Sequence, residues 1–394
     1  MKYISLFSGI GGLEDRSSAP KLCCEIDTQA AAVLRKRYAG LEIVDDVIAL
    51  VDPPKVDIVS GGWPCQDISV AGLRRGLAGE RSGLFFELLR VARSARAHTI
   101  VAENVPNLLR LEGGLAFDAV LAAFEQNGFP FVAWRVLNAR EFGLPHDRRR
   151  VFIVASRFRE SAIALHRPIP KAKTSTPSAT PQIASFYWTA GSHSICYSRG
   201  YVPTLKVGSS LSVPSPPALH MGDTARLVRP DECAKLQGFD ANDFDGWPAN
   251  AVYRFMGNAV ALPVGQWVME SPKIVTPEDP SFVGFGFVSE SGLYESGLKR
   301  AVGHAHGPLA DNLADYVDLE DRRPMSRRAA SGLLRRLARS GKPCPSDLRE
   351  VLVRLSNDQV IEQVADAATT LKAAVSARSK KAMEDLAAGQ LSIL

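Results

Sequence analysis

The first 157 residues alternate short apolar runs with helical stretches, the order that a parallel sheet with crossover helices requires. The apolar runs predict strands at residues 3–6, 22–26, 56–60, 99–102, 131–137 and 150–155. Apolar residues spaced three and four apart predict helices over residues 28–38, capped by Thr28, and over residues 83–96 and 115–127. We therefore expect an α/β domain in this part of the chain.

The pattern changes near residue 157. Residues 157–228 are rich in Pro, Ser, Thr and Lys, and short runs at 183–189 and 201–207 predict strands of a small β-rich unit. Lys and Arg number eight here against two acidic residues, and aromatic residues lie among them. Such a basic and aromatic module favours a nucleic-acid partner, although a solvated basic loop region has the same composition.

The downstream part of the chain is again partly helical. Helical spacing returns at residues 230–236 and 250–269, and again from residue 346 onward. Residues 322–342 carry eight Arg and Lys and no acidic residue. We expect residues 273–394 to form a partly basic, helical extension, which either contacts DNA, mediates association or serves as an accessory domain.

Composition places the chain among soluble globular proteins. Its 394 residues suit two or three domains, and 46% apolar with 23% charged residues is ordinary. No apolar run could span a bilayer, and the amino terminus resembles a strand more than an export signal. Six scattered cysteines show neither metal-ligand spacing nor a disulfide framework, so we expect a reducing, cytoplasmic location and no metal.

Cys65 is the strongest candidate for chemistry. It follows an apolar run, two glycines and Pro64, and Glu103 follows the next predicted strand. The carboxyl ends of parallel strands meet at one edge, so this thiol and this carboxyl group should share a crevice. Most cysteines are buried and inert. However, the glycine-rich, partly basic loop at 66–82 favours a reactive thiolate and covalent attack on a nitrogen heterocycle.

Three further features suggest a nucleoside cofactor. A glycine-rich turn at residues 7–12 follows the first strand, Glu25 ends the second, and Asp46 follows the third apolar run. Backbone N–H groups of the turn and a carboxylate near ribose hydroxyls suit such a ligand, although each feature alone is weak. In the basic run after His146, alternation would place Arg148 and Arg150 on one face, within reach of the same crevice.

In this order, the motifs resemble the DNA (cytosine-5)-methyltransferase family over roughly residues 1–270. The resemblance rests on Phe-Ser-Gly-Ile-Gly-Gly at 7–12, Gly-Trp-Pro-Cys-Gln at 62–66, Glu-Asn-Val at 103–105, Arg-x-Arg at 148–150, Arg-Pro-Asp-Glu at 229–232 with Leu-Gln-Gly-Phe at 236–239, and Gly-Asn-Ala-Val at 257–260.

The resemblance implies a Rossmann-like domain that depends on S-adenosylmethionine (SAM), over residues 1–157 and 245–272, with a small target-recognition domain at 158–244. It implies cofactor contacts from Phe7, Gly9, Gly11, Glu25, Asp46 and Asn258. It implies substrate contacts from Pro64, Gln66, Thr204 and Leu205, the last two as the family's Thr-Leu landmark. The implied catalytic residues are Cys65, Glu103, Arg148 and Arg150.

The resemblance also implies a mechanism and a substrate. Double-stranded DNA would present a flipped-out cytosine, the Cys65 thiolate would add to its C6, and C5 would accept the methyl group. Glu103 would bind N3 and the exocyclic amine, and Arg148 would brace the base or Glu103. The enzyme would act as a monomer in restriction-modification or phage DNA modification, with a cognate restriction endonuclease as a candidate partner.

Two departures from the family pattern leave alternatives open. His146 stands where the family usually has Gln. Only 12 residues separate Gly12 from Glu25, and residues 17–20 interrupt any helix there, which puts cofactor affinity in doubt. The alternatives are a tRNA cytosine-5 methyltransferase of the same fold and a catalytically silent DNA-binding homologue.

Overall fold

A computed structural model describes residues 1–14, 18–64, 83–170, 183–189, 194–207, 215–274, 276–284, 289–303 and 308–356. The predicted nucleophile Cys65, its neighbour Gln66 and the loop that follows lie outside these residues. The chain forms two compact units, here called unit 1 (Met1–Ser178, Thr204–Gly208, Pro230–Asn312) and unit 2 (Ala179–Pro203, Ser209–Arg229, Leu313–Leu394). Within the described ranges, no helix is both long and apolar enough to cross a membrane.

Unit 1 contains most of the regular structure. Its strands are β1 Tyr3–Leu6, β2 Leu22–Cys24, β3 Ile43–Val44, β4 Ile58–Gly61, β5 Thr99–Asn104, β6 Phe131–Asn138, β7 His146–Asp147 and β8 Arg149–Ser156. Its helices are α1 Thr28–Arg37, α2 Leu84–Ser94, α3 Leu115–Gln126, α4 Arg159–Ile163, α5 Pro230–Leu236, α6 Ala249–Asn258 and α7 Leu262–Glu270. All six strands and the helices predicted in residues 1–157 are therefore present, with ends shifted by a few residues.

The large sheet of unit 1 is mixed. Strands β3, β2, β1, β4 and β5 lie side by side in that order and run parallel. Beside β5, β8 runs antiparallel and is followed by β6, which is antiparallel to β8. Apolar side chains of the strands pack against α2 and α3 through Leu88, Val120 and Phe124. The expected α/β architecture is confirmed, but its sheet is not purely parallel.

Helix α1 begins one residue earlier than the predicted cap implies. The N-cap is Asp27, whose carboxylate accepts the N–H groups of Gln29 at 2.9 Å and Ala30 at 3.1 Å. Thr28 is the first residue inside the helix, so its predicted role as the cap is wrong. Aspartate is among the strongest N-caps because its ionised side chain satisfies otherwise unpaired N–H groups.

Three strands of the downstream extension join the large sheet, which the sequence analysis did not predict. They are β14 Phe282–Gly284, β15 Ser291–Glu295 and β16 Leu298–Val302, and they bring the sheet to ten strands, with β15 antiparallel to β6. Ser296 and Gly297, both with positive φ (+52° and +76°), connect β15 to β16 as a two-residue hairpin turn. This hairpin pairs the edge that β6 would otherwise expose.

Unit 2 is a small sheet covered by two helices. Its strands are β9 Ala184–Phe186, β10 Ser198–Arg199, β11 Val202–Pro203, β12 Ala218–Met221 and β13 Thr224–Leu227; its helices are α8 Arg327–Ser340 and α9 Ser346–Ser356. An antiparallel sheet has the order β10-β9-β12-β13. Phe186 and Ala225 of this sheet share one core with Leu333 and Leu334 of α8 and Leu352 of α9.

The unit boundaries therefore differ from the predicted domains. Residues 313–356 of the extension complete the core of the small β-rich unit, whereas residues 276–303 extend the large sheet. The predicted helical stretch 250–269 is two helices, because Ala259 and Ala261 have extended backbones. Residues 204–208, predicted inside the target-recognition domain, belong to unit 1.

Candidate active site

A cavity of about 440 Å³ lies at the carboxyl ends of the parallel strands of unit 1. Its walls come from the turn after β1, from Glu25 after β2, from residues 61–64 at the end of β4, and from residues 103–105 at the end of β5. The start of α1, residues 45–47, Leu84, Arg150, Phe255 and residues 257–260 complete the lining. Strand ends of a parallel sheet form such crevices because each chain leaves the sheet at the same edge.

Glu25 is fixed at the floor of the cavity by backbone hydrogen bonds. Its Oε2 accepts the Gly9 N–H at 2.6 Å and its Oε1 accepts the Asp27 N–H at 2.8 Å. Burial raises the pKa of Glu25, while the Gly9 hydrogen bond and the charge of Arg254 lower it. The carboxylate retains further lone pairs on the cavity side, so it can accept hydroxyl groups of a ligand.

Of the five other residues predicted to contact the cofactor, four line the cavity and one does not. Phe7, Gly9, Asp46 and Asn258 all line the cavity, as Glu25 does. Gly11 is not among the lining residues: a Cβ there would lie 2.9 Å from Arg37 Nη1, and its φ is +88°. Gly11 therefore shapes the turn rather than the cavity wall.

Glu103 and Arg150 form an ion pair inside the same cavity. Arg150 Nε lies 3.0 Å from Glu103 Oε1, and both side chains are about 15% exposed (15% and 14%). Burial raises the pKa of Glu103, and the charges of Arg150 and Arg148 oppose that shift. A Cβ at Gly62 would lie 2.8 Å from Glu103 Oε2, so only glycine lets the end of β4 approach this carboxyl group so closely.

Arg148 is buried and does not line the cavity. Its guanidinium donates to the carbonyl of Leu205 at 3.2 Å and to the carbonyl of Gly257 at 3.0 Å. Arg148 thus joins the Thr-Leu segment to the end of α6. The predicted bracing contact to Glu103 is supplied by Arg150, and Arg148 acts on Glu103 through its charge.

His146 completes this buried network. It is fully buried, and its Nε2 accepts the N–H of Leu205 at 3.0 Å, while Thr204 donates its hydroxyl to the carbonyl of Asp147 at 2.6 Å. Burial and the charges of Arg148 and Arg150 hold the pKa of His146 well below its usual value. The imidazole is therefore neutral and serves as an acceptor. Thr204 and Leu205 accordingly lie at the arginine motif and not in the cavity wall.

The segment that leads to Cys65 is held in place up to Pro64. Asn104 Nδ2 donates to the carbonyl of Trp63 at 3.0 Å, and its Oδ1 accepts the N–H of Val105 at 2.8 Å. Trp63 is buried against Phe85 of α2, and Pro64 is exposed at the cavity rim. The described part of this segment therefore ends at a residue that lines the cavity.

Three acidic residues of the cavity wall were not predicted from the sequence, namely Glu14, Asp27 and Asp45, and Glu14 is the most buried of them. Glu14 is 2% exposed; its Oε1 accepts the Ser5 hydroxyl at 2.8 Å, and its Oε2 makes no hydrogen bond to another described residue. Burial raises the pKa of Glu14 from 4.5 to about 7. An acid two residues after a glycine turn at the end of a strand was the available signal.

The cavity fits SAM in size and chemistry. Its volume lies in the range of small-molecule pockets, and a Cβ at Gly9 would meet no atom within 4 Å, so open space adjoins the turn. Carboxylates of Glu25 and Asp46 suit the ribose hydroxyls and the adenine amine. In the described part of the chain, no group of three or more His, Cys, Asp or Glu could hold a metal ion.

Comparison with known proteins adds a second line of argument. Residues 1–188 match the family model "C-5 cytosine-specific DNA methylase". The Type II methyltransferase M2.BsuMI of Bacillus subtilis (strain 168) is 32% identical over 377 residues, covering 86% of this chain and 94% of that protein. The Type II methyltransferase M.Bsp6I of Bacillus sp. (strain RFL6) is 29% identical over 310 residues, covering 69% and 98%.

A solved structure agrees on the fold. The crystal structure of the S. pombe Dnmt2 methyltransferase superposes with a TM-score of 0.52 at 16% sequence identity, covering 69% of this chain and 98% of that one. At this identity the likeness concerns the α/β fold alone.

Proposed function

The chain belongs to the C-5 cytosine-specific DNA methylase family, and from this premise we propose that it methylates carbon 5 of a flipped-out cytosine in duplex DNA. The methyl donor is SAM, and Cys65 is the nucleophile. The observation that carries the proposal is the Glu103–Arg150 ion pair in the same cavity as Glu25 and the glycine turn. Reacting base and methyl donor can therefore meet in one enclosed space.

The cofactor would be held by residues that already line the cavity. Glu25 would accept its ribose hydroxyls, Asp46 would lie near its adenine amine, and Phe7, Gly9 and Asn258 would contact the rest. When bound, SAM supplies an electrophilic methyl group on a sulfonium.

Cys65 and Glu103 would divide the chemistry of the base between them. The thiolate adds to C6, which makes C5 nucleophilic; C5 then takes the methyl group, a base removes the C5 proton, and elimination returns the thiolate. Glu103 would bind N3 and the exocyclic amine. Burial raises the pKa of Glu103, so this carboxyl group takes up a proton more readily and can share it with N3 as negative charge develops on the ring.

Arg150 would orient the Glu103 carboxyl group, and Arg148 would act as a positioning residue. By holding the carbonyls of Leu205 and Gly257, Arg148 fixes the Thr-Leu segment and the end of α6. Neutral His146 would replace the family's glutamine without loss, because both side chains offer an uncharged acceptor to the Leu205 N–H. Thr204 and Leu205 would then support target recognition indirectly.

The biological role would be DNA modification of the Type II kind, for which the similarity to M2.BsuMI and M.Bsp6I is the support. Duplex DNA must release the target base from the stack, at a cost of a few kcal/mol. A cognate endonuclease would recognise the same motif.

Methylome sequencing of cells expressing the chain tests this function. We expect one motif to carry 5-methylcytosine uniformly, and Cys65→Ala to abolish it while the protein stays folded. Cys196→Ala is the matched control, because Cys196 is an exposed free cysteine in unit 2. Full methylation by Cys65→Ala would refute the assigned nucleophile.

Covalent trapping sharpens the same test. Duplex DNA with 5-fluorocytosine lacks a removable C5 proton, so the adduct should remain attached at position 65 after methyl transfer. Methyl transfer to tRNA and not to duplex DNA would establish the RNA alternative. Absence of transfer to either, with intact SAM binding, would establish a silent homologue.

A further inference from the structure

Helix α8 (Arg327–Ser340) packs one of its faces into the core of unit 2. Its buried residues are Ala329, Ala330, Ser331, Leu333, Leu334 and Leu337. The apolar ones among them pack in one cluster with Phe186, Ala218 and Ala225 of the small sheet. The opposite face of α8 must therefore point to solvent.

Three arginines occupy that solvent face. Arg328, Arg335 and Arg339 are exposed, and their spacing of seven and four residues places them within roughly 40° of one another around the helix. At 1.5 Å per residue, they are about 10 Å and about 6 Å apart along the axis. We call this set the arginine stripe.

The arginine stripe has no structural task within the part of the chain that the structure describes. No hydrogen bond or ion pair links the side chain of Arg328, Arg335 or Arg339 to another described residue. Their helical neighbours differ: Arg327 donates to the Ser356 carbonyl at 2.8 Å, and Arg336 donates to the Trp188 carbonyl. Among the described residues, Arg327 and Arg336 thus make contacts within unit 2, whereas the side chains of the arginine stripe make none.

No acidic residue within residues 322–342 neutralises this charge, although Arg322 pairs with Asp223 at 3.6 Å and Arg323 with Asp321 at 2.7 Å. Residues 322–342 contain eight Arg and Lys and no Asp or Glu. On the packed helix α9, Asp347 already pairs with Arg199 at 3.6 Å. Like charges on one helical face repel one another, so the stripe costs stability and suits an anionic ligand.

We propose that the arginine stripe is a phosphate-contact surface for duplex DNA. The inference rests on the proposed function, in which duplex DNA is the substrate. Guanidinium groups bind phosphate with paired hydrogen bonds, and a duplex presents phosphates at short, regular intervals. Because α8 shares a core with the small sheet, these contacts would fix the position of that sheet along the DNA backbone. Phosphate contacts of this kind do not recognise the base sequence.

The test is the salt dependence of DNA affinity, measured with the full-length chain and a duplex that contains the methylated motif. Each neutralised phosphate contributes about 0.9 to the slope of log Kd against log salt. We expect R328Q/R335Q/R339Q to reduce the slope by about 2 to 3 and to weaken binding. The turnover rate at saturating DNA should stay unchanged.

A matched control removes three exposed charges from unit 1, as K21Q/R35Q/R93Q. We expect it to change the slope by less than about 1. An unchanged slope in the folded stripe variant overturns the proposal, as does an equal loss in the control. A change in oligomeric state without a change in slope also overturns it, in favour of self-association.

The two proposals fail in different ways. If the wild-type chain does not bind duplex DNA, both the proposed function and the phosphate-contact surface are refuted. If the wild-type chain binds and methylates DNA while the stripe variant keeps its slope, only the surface is refuted. Should the triple variant not fold, each single Arg→Gln change should lower the slope by about 0.9.

Discussion

The two halves of the large sheet in unit 1 serve different purposes. Parallel strands β1, β2, β4 and β5 all end at the cavity and deliver glycines and acids to it. Antiparallel strands β6, β15 and β16 contribute none of the cavity-lining residues. The exception is β8, which borders both halves.

Strand direction explains the exception. Since β8 runs opposite to β5, its beginning lies where β5 ends, and Arg150 near its start meets Glu103 near the end of β5. Parallel strands place site residues at or just after their carboxyl ends, whereas an antiparallel neighbour places them at its start. The far antiparallel strands carry stabilising contacts instead, which predicts different responses to substitution in the two halves.

The largest expected effect is in the parallel half. Glu103→Gln should lower the methylation rate by 100-fold or more, because an amide cannot supply the proton that Glu103 would place on N3. The measurement is single-turnover methyl transfer with folding verified by circular dichroism. Glu87→Gln, which breaks an ion pair with Arg90 (2.7 Å) on α2, is the control and should keep its rate. Equal rates for the two variants would contradict the role of Glu103.

The next effect concerns the buried carboxyl group of Glu14. Its folded-state pKa of about 7 exceeds the ordinary 4.5, so the folded state binds more protons between these values. Stability should therefore fall as pH rises from about 4.5 to 7, by up to about 3 kcal/mol.

Glu14→Gln should remove this decline, so the variant gains stability over the wild type at pH 8 but not at pH 4. Urea unfolding across this pH range measures the difference. Surface Glu42→Gln should leave the decline intact. If the unfolding free energy of the wild type does not fall between about pH 4.5 and 7, the pKa of Glu14 is not raised in the folded state.

A pair of glycine substitutions compares the halves directly. Gly62→Ala in the parallel half would place a methyl 2.8 Å from Glu103 Oε2, and we expect about a tenfold loss of rate with little loss of stability. Gly292→Ala on β15 would place a methyl 2.2 Å from the Trp134 ring, and we expect a destabilisation of about 1–3 kcal/mol with an unchanged rate per folded molecule. The opposite pattern in rate and unfolding assays would refute the division of roles.

The smallest effect is expected at the far edge. Tyr294 of β15 donates its hydroxyl to the Glu125 carboxylate of α3, and burial with this carboxylate raises the pKa of Tyr294 to about 12. Tyr294→Phe should cost about 1 kcal/mol in unfolding free energy at pH 7 and leave methyl transfer unchanged. A loss of activity would mean that the hairpin influences the cavity.

The sequence alone determined the strands of the parallel half and the residues at their carboxyl ends. Apolar runs at 3–6, 56–60 and 99–102 are local signals, and the glycines and acids directly after them identify the site edge. Cavity-lining positions for Phe7, Gly9, Glu25, Asp46 and Asn258 followed from motif order. The catalytic role of Cys65 stays a prediction, since it lies outside the described residues.

Only the tertiary structure decided which groups meet. Arg150 rather than Arg148 contacts Glu103, Arg148 holds two carbonyls, and the Ser296–Gly297 hairpin adds strands to a sheet that begins about 290 residues earlier. Spacing along the chain reveals the period of an element, but strand direction and pairing depend on contacts between distant segments. Those contacts are set by burial and hydrogen bonding of the whole fold, which no local pattern encodes.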